Sequence, residues 1–107
     1  IIIGTTFIIG NLEVAQNDFP ISMNWDDAVN SCAELGEGWR LPNKDELKIL
    51  YLNKENIGCE NTRAYWSSSI CIEYSYPAWF QNFINGNQNS YSNVLKHYVR
   101  AVRLSNY

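Results

Sequence analysis

"MNWDDAVNSCAELGEGWRLPNKDEL", residues 23–47, holds two helix starts and the corner between them. Asn24 can cap a helix with its carboxamide, and Asp26 and Asp27 suit the positive end of that helix's dipole. Trp25, Ala28, Cys32 and Leu35 recur at helical spacing and form one stripe for burial, and Gly36 or Gly38 ends the run. Asn43 then caps a second helix. Glu46, three residues on, can reach back to the cap's own amide. Leu47, Leu50 and Tyr51 form the apolar face of this helix, with Lys44, Asp45 and Lys48 outside. Between the helices, Trp39 offers a large apolar body whose indole N–H needs one partner. Arg40 can lie on an aromatic face and donate to carbonyls near the corner, while Leu41-Pro42 fixes an extended entry. Arg40 is therefore expected to be a structural clamp, not a catalytic or anion-gripping group.

Outward from this pair, "IIIGTTFIIG" and "NLEVA" read as two short strands around a Gly10-Asn11 turn. The apolar opening lacks a basic leader and is broken by Gly4, so it is read as β structure and not as a signal peptide. "NKENIGCENTR" is loop, and "YWSSS", the stretch around "YPAWFQNF", and "HYVRAVRL" read as strands. Strands, two helices, then strands indicate an α+β fold, with the 107 residues forming a single domain, residues 1–107. Arg100 and Arg103 lie three apart on a strand and so face opposite sides, and at least one is expected to pair with a carboxylate such as Glu46.

Net charge is −3 with a pI near 5.0, so nothing draws the chain to nucleic acid or anionic lipid. No apolar run reaches membrane-spanning length, so direct membrane insertion is not expected. His97 is the one histidine and no C-x-x-C occurs, which leaves a zinc site without ligands. His97 is expected at the surface or a strand end. Asp26/Asp27 and Asp45/Glu46 fall in helix first turns, where the dipole accounts for them. Neither a cofactor nor catalysis is expected. An enzyme related to the formylglycine-generating fold would need reactive cysteines, for which Cys32 on a helix face is a poor candidate. Cys59 and Cys71 flank a strand and could bridge in an exported protein, with the connectivity left open.

A break in composition says more. From Asp26 to Arg63 there are thirteen charged residues, and from Ala64 to Leu95 only Glu73. The second stretch is instead rich in aromatic rings and neutral amides. Two readings stand: buried strands joined by asparagine turns, helped by Gly86, or a recognition surface of the ring-and-amide kind used by antibodies. Alternation puts Trp79, Gln81 and Phe83 on one strand face and Phe80 and Asn82 on the other. Trp79 and Phe83 are taken as core. Phe80 and Asn82 join Tyr74, Tyr76, Asn85, Asn87, Gln88, Asn89, Tyr91 and Asn93 as ligand candidates. Rings can cover the apolar faces of sugars while amides meet hydroxyls, which suits a neutral carbohydrate. Trp25, Cys32, Trp39, Arg40, Glu46, Trp66, Trp79, Phe83, Arg100 and Arg103 form the structural set.

The order W-D-D-A…C…L-G…G-W-R-L-P…E-L…Y-W-S-S…F-x-x-G…V-R-A-V-R resembles the C-terminal domain family of the Legionella collagen-like adhesin over about residues 11 to 104. The resemblance implies a C-type-lectin-like fold, with two helices packed on small twisted antiparallel sheets and both termini close together. It also implies a bacterial or phage surface location and a non-enzymatic role in adhesion to a glycan or protein ligand. The sulfated, anionic glycans preferred by the namesake call for basic residues, and the segment from Ala64 to Leu95 has none. An alternative is a fibre, pilus or lipoprotein-tip assembly domain, a homo-oligomer that uses the uncharged face between subunits. A further one is a ligand-binding protein diversified by a retroelement, since Asn, Ser and Tyr crowd residues 74–98.

Overall fold

The computed structural model describes residues 5–60, 62–70, 78–90 and 96–105. Tyr74, Tyr76, Tyr91, Asn93 and Cys71, singled out above, lie outside the described residues. Two helices and two three-stranded antiparallel sheets make an α+β fold. The first hairpin pairs β1 (Phe7–Ile9) with β2 (Leu12–Val14) around Gly10, whose φ of +60° is one that glycine adopts without strain. β6 (Val102–Leu104) pairs with the other side of β2, so strands from both ends of the chain share one sheet in the order β1-β2-β6.

Helix α1 (Trp25–Glu34) begins as its sequence dictates, with the Asn24 side chain accepting from the Asp27 amide at 2.8 Å. Ala28 and Cys32, four apart, are fully buried. Helix α2 (Lys44–Leu52) has both halves of the capping box: Asn43 Oδ1 accepts from the Glu46 amide and Glu46 Oε1 from the Asn43 amide. Leu47 and Leu50 are buried, and Tyr51 is half-buried above them.

The second sheet runs β3-β4-β5, from β3 (Ala64–Ile70), β4 (Ala78–Asn82) and β5 (Gln88–Asn89). Its register sets Trp66 opposite Phe80 and Tyr65 opposite Gln81, and then Phe80 opposite Asn89 and Gln81 opposite Gln88. Directly opposed residues share a face. Trp66, Ala78 and Phe80 therefore point to one side, where they pack with Met23, Ala28 and Cys32 at α1. Tyr65 points to the other, where it packs with Phe83, Leu47 and Leu50 at α2. Each face of this sheet meets its own helix. The serines of "YWSSS" fix these contacts. Ser69 Oγ accepts from the Lys44 amide at the start of α2 (2.9 Å), the Ser67 carbonyl accepts from the Trp25 indole (2.9 Å), and the Ser68 amide donates to Pro42 O (2.8 Å).

Residues 97–104, expected as one strand, bond to a succession of partners instead. His97 exchanges backbone bonds with Met23, Tyr98 bonds to Ala64 and Trp66, Val99 O accepts from Phe19, Ala101 O accepts from Ala15, and Val102 exchanges bonds with Arg40. Only 102–104 form a regular ladder, with β2. The segment is a seam that ties both sheets and the inter-helix corner together, which is why Val99, Arg100, Ala101 and Val102 are all buried.

Candidate functional site

Charge and neutrality are segregated along this chain, with thirteen charged residues from Asp26 to Arg63 and one from Ala64 to Leu95. The charged side is a brace. Arg100, 2% exposed, donates from Nε to Asp18 Oδ1 at 2.7 Å and from its Nη atoms to the carbonyls of Ala15, Ile57 and Gly58. Asp18 Oδ2 also accepts from Arg63 Nη1 at 3.0 Å and from the Tyr65 hydroxyl. Three segments distant in sequence thus meet at one carboxylate. Arg63 in turn lies 4.0 Å over the Tyr98 ring.

The two remaining described arginines also have carboxylate partners. Arg40 holds Glu46 through both nitrogens, at 2.6 and 2.9 Å, and donates to Leu41 O at 3.2 Å. The Arg40 guanidinium holds the Glu46 carboxyl below the usual carboxylate range. Arg103 donates to Glu13 at 2.7 Å and stacks over the Trp39 ring at 4.7 Å. Arg40 was expected to do that stacking. Glu46, expected as a partner of Arg100 or Arg103, is taken by Arg40, and those two use Asp18 and Glu13. The reason is local: Glu46 in the first turn of α2 lies just across the Leu41-Pro42 corner from Arg40, which leaves the seam arginines to carboxylates of the N-terminal loop and β2. Asp18 and Arg63 were missed by sequence reasoning. Asp18 sits in the loop "QNDFPIS", with no periodicity to mark a side chain for burial.

The neutral side is the β4–β5 hairpin, residues 82–89. Its turn is closed by backbone bonds from Gly86 N to Asn82 O (2.7 Å) and from Asn82 N to Asn87 O (2.8 Å). Asn82 Oδ1 accepts from the Ile84 amide and Asn85 Oδ1 from the Asn87 amide, so both of those side-chain oxygens serve the turn. The hairpin is fastened to its surroundings as well. Gln81 Nε2 donates to Gly86 O, and Gln88 Nε2 donates to both Lys44 O (2.6 Å) and Gln81 Oε1 (3.1 Å). Both amide protons of Gln88 are thereby used, and only its oxygen is left for an outside partner. Asn85, Asn87 and Asn89 are exposed, with Asn82 half-buried behind them. Among the described residues, the Asn87 and Asn89 side chains make no hydrogen bond.

Phe80, expected beside Asn82 as a ligand ring, is turned inward. It stacks on His97 with centroids 4.3 Å apart and planes 18° from parallel, and it meets Trp66 edge-on. Alternation places Phe80 on the face it occupies, but α1 and the seam cover that face. Trp79, assigned to the core, is half-buried, with the Lys44 ammonium 4.5 Å from its ring. Phe83 is fully buried, between Tyr51 and Tyr65.

His97, expected at the surface or a strand end, lies in an isolated β-bridge with Met23 and is buried, not at the surface. It is 6% exposed between Phe80 and Trp66, its Nε2 has no partner, and burial pushes its pKa down to about 4. A histidine held neutral and caged by rings is not placed as a general base. Burial also pushes the Cys32 thiol up to about 12 and the Cys59 thiol to about 11, so neither is a poised thiolate. Cys59 is a free thiol, and Cys71, with which a bridge was left open, lies outside the described residues. Among the described residues no three His, Cys, Asp or Glu side chains come together as a metal-binding group, and no helix is long and apolar enough to cross a membrane.

No curated protein matches the chain significantly. Residues 12–103, from the second strand through the last arginine, match the Lcl C-terminal domain. With that match spanning nearly the whole fold just described, the chain belongs to the Lcl C-terminal domain family.

Proposed function

We propose that the chain is a non-enzymatic binding module of a bacterial or virion surface, and that it recognises a neutral glycan through the β4–β5 hairpin. The observation that carries this reading is the hairpin itself. Asn85, Asn87 and Asn89 are exposed on a turn fastened to α2 and to its own strand, so carboxamides are presented without the entropy cost of ordering a loose loop. Family membership supports a surface role, since the namesake is an adhesin. The absence of any Lys or Arg from Ala64 to Leu95 favours hydroxyl-rich, uncharged sugars over sulfated ones. On this reading the fold is C-type-lectin-like.

A glycan array with the intact chain and with the Asn85→Ala/Asn87→Ala/Asn89→Ala variant tests the proposal. Binding to neutral glycans that disappears in the triple variant supports it, and binding that survives places the site elsewhere. Because Asn85 also holds the turn, the Asn87→Ala/Asn89→Ala double variant belongs beside it, as neither side chain is needed to fold the hairpin.

A second reading rests on two exposed apolar residues, Ile84 in the hairpin turn (66%) and Ile70 at the end of β3 (53%). They suit a subunit interface in a fibre or pilus-like assembly. Light scattering over a concentration series separates the readings. A stable oligomer dispersed by Ile84→Lys or Asn87→Lys favours assembly, and a monomer throughout favours ligand binding.

A further inference from the structure

Asn85-Gly86 is the one Asn-Gly pair in the chain, and it forms the tip of the hairpin. An asparagine side chain can be attacked by the backbone nitrogen of the next residue, and the reaction is fastest when that residue is glycine, which puts no Cβ in the way. Four observations bear on this pair. Asn85 is exposed, so water and hydroxide reach it. Its Oδ1 accepts from the Asn87 amide at 2.9 Å, which puts a donor on the oxygen where negative charge would build during attack at Cγ. The Gly86 nitrogen is held by a single backbone bond, to Asn82 O at 2.7 Å, and the opening of that one bond frees the nucleophile. Finally, Gly86 is fixed by the fold. Its φ is +81°, and a Cβ there would lie 2.8 Å from Tyr51 Cε2, so the side chains that would slow the reaction are kept out.

We propose that Asn85 is a site of spontaneous deamidation through a succinimide, which converts the neutral hairpin tip to an anionic one. The Gly86 nitrogen loses its proton to solvent base and bonds to Asn85 Cγ. The bond from Cγ to the side-chain nitrogen breaks, and ammonia leaves with a proton from solvent. Water then opens the ring at either carbonyl and leaves aspartate or isoaspartate. No oxidant or cofactor takes part. Net charge moves from −3 to −4. The isoaspartate product also lengthens the main chain by one methylene, at the point where Gly86 rests on Tyr51. If the hairpin is the binding surface proposed above, this is a clock on binding, but the chemistry does not depend on that reading.

The test is a peptide map of the intact chain after days in mildly alkaline buffer made with isotopically labelled water, with ion exchange to collect acidic forms. The expected result is an acidic form carrying one added negative charge, with one labelled oxygen at residue 85, formed before any product at another asparagine. Asn85→Gln should abolish that form and Asn89→Gln should keep it. An unchanged chain, or product at other asparagines with Asn85 intact, overturns the proposal. The map of the unsubstituted chain decides this even if a variant folds poorly.

Discussion

The brace around Asp18 and the hairpin tip around Asn87 are both polar, yet they are polar in opposite ways. At Asp18, two arginines and a tyrosine converge on one carboxylate whose side chain is 7% exposed, and most donors of the buried Arg100 are spent inside the fold. At the tip the groups are neutral, and the outermost ones are unspent. A buried charge that loses its partner is costly because it cannot recover its hydration, whereas an exposed carboxamide loses little. The contrast separates residues that hold the molecule from residues free to meet something else.

The largest expected effect comes from breaking the brace. Asp18→Ala leaves Arg100 charged, 2% exposed and without its counter-ion, and should cost about 3–5 kcal/mol of stability in urea unfolding. An effect below roughly 1 kcal/mol would mean that the brace is not what holds the seam.

Next comes acid. His97 has a folded pKa of about 4 against an ordinary value of 6.5, so folding favours its neutral form. That contribution is complete above the unfolded value and is lost as pH falls through the window from 6.5 to about 4, amounting to about 3 kcal/mol. Unfolding curves collected across that window should show it, and His97→Phe should remove that part of the slope. Glu46 acts in the same direction at lower pH. Its carboxyl is held down by Arg40, so its contribution is present above the ordinary carboxylate value and fades as pH falls through the lowered one.

Smaller still is Glu46→Ala, which removes half of the α2 capping box and the partner of a partly exposed Arg40. A loss of about 1–2 kcal/mol in thermal unfolding is expected. The smallest effect sharpens the contrast most. Asn87→Ala and Asn89→Ala should each change stability by less than about 0.5 kcal/mol. A larger loss at either position would place that asparagine with the structural residues.

These differences track what a linear sequence can convey. Asn24, Asn43 with Glu46, and the Gly10-Asn11 turn were legible because caps and tight turns are decided within four or five residues. The α+β arrangement followed from the order of those pieces. Asp18 was not legible, since its partners at 63, 65 and 100 are joined to it only in the folded state. The burial of His97 and Phe80 was not legible for a related reason. Alternation gives the face of a strand a side chain occupies, but not whether a helix and a seam will cover that face. At the tip, the sequence offered turn residues or a recognition surface. The turn reading holds for the oxygens of Asn82 and Asn85, and the side chains of Asn87 and Asn89 are left outside the turn, where the proposed recognition surface needs them.

The most direct test of this division is an amide NMR titration with a neutral glycan bound by the intact chain. Perturbations centred on residues 84–89, with Ala15, Asp18, Ile57 and Arg100 unmoved, are expected. Perturbations centred on those four residues, with the hairpin silent, would contradict the assignment of brace and binding face.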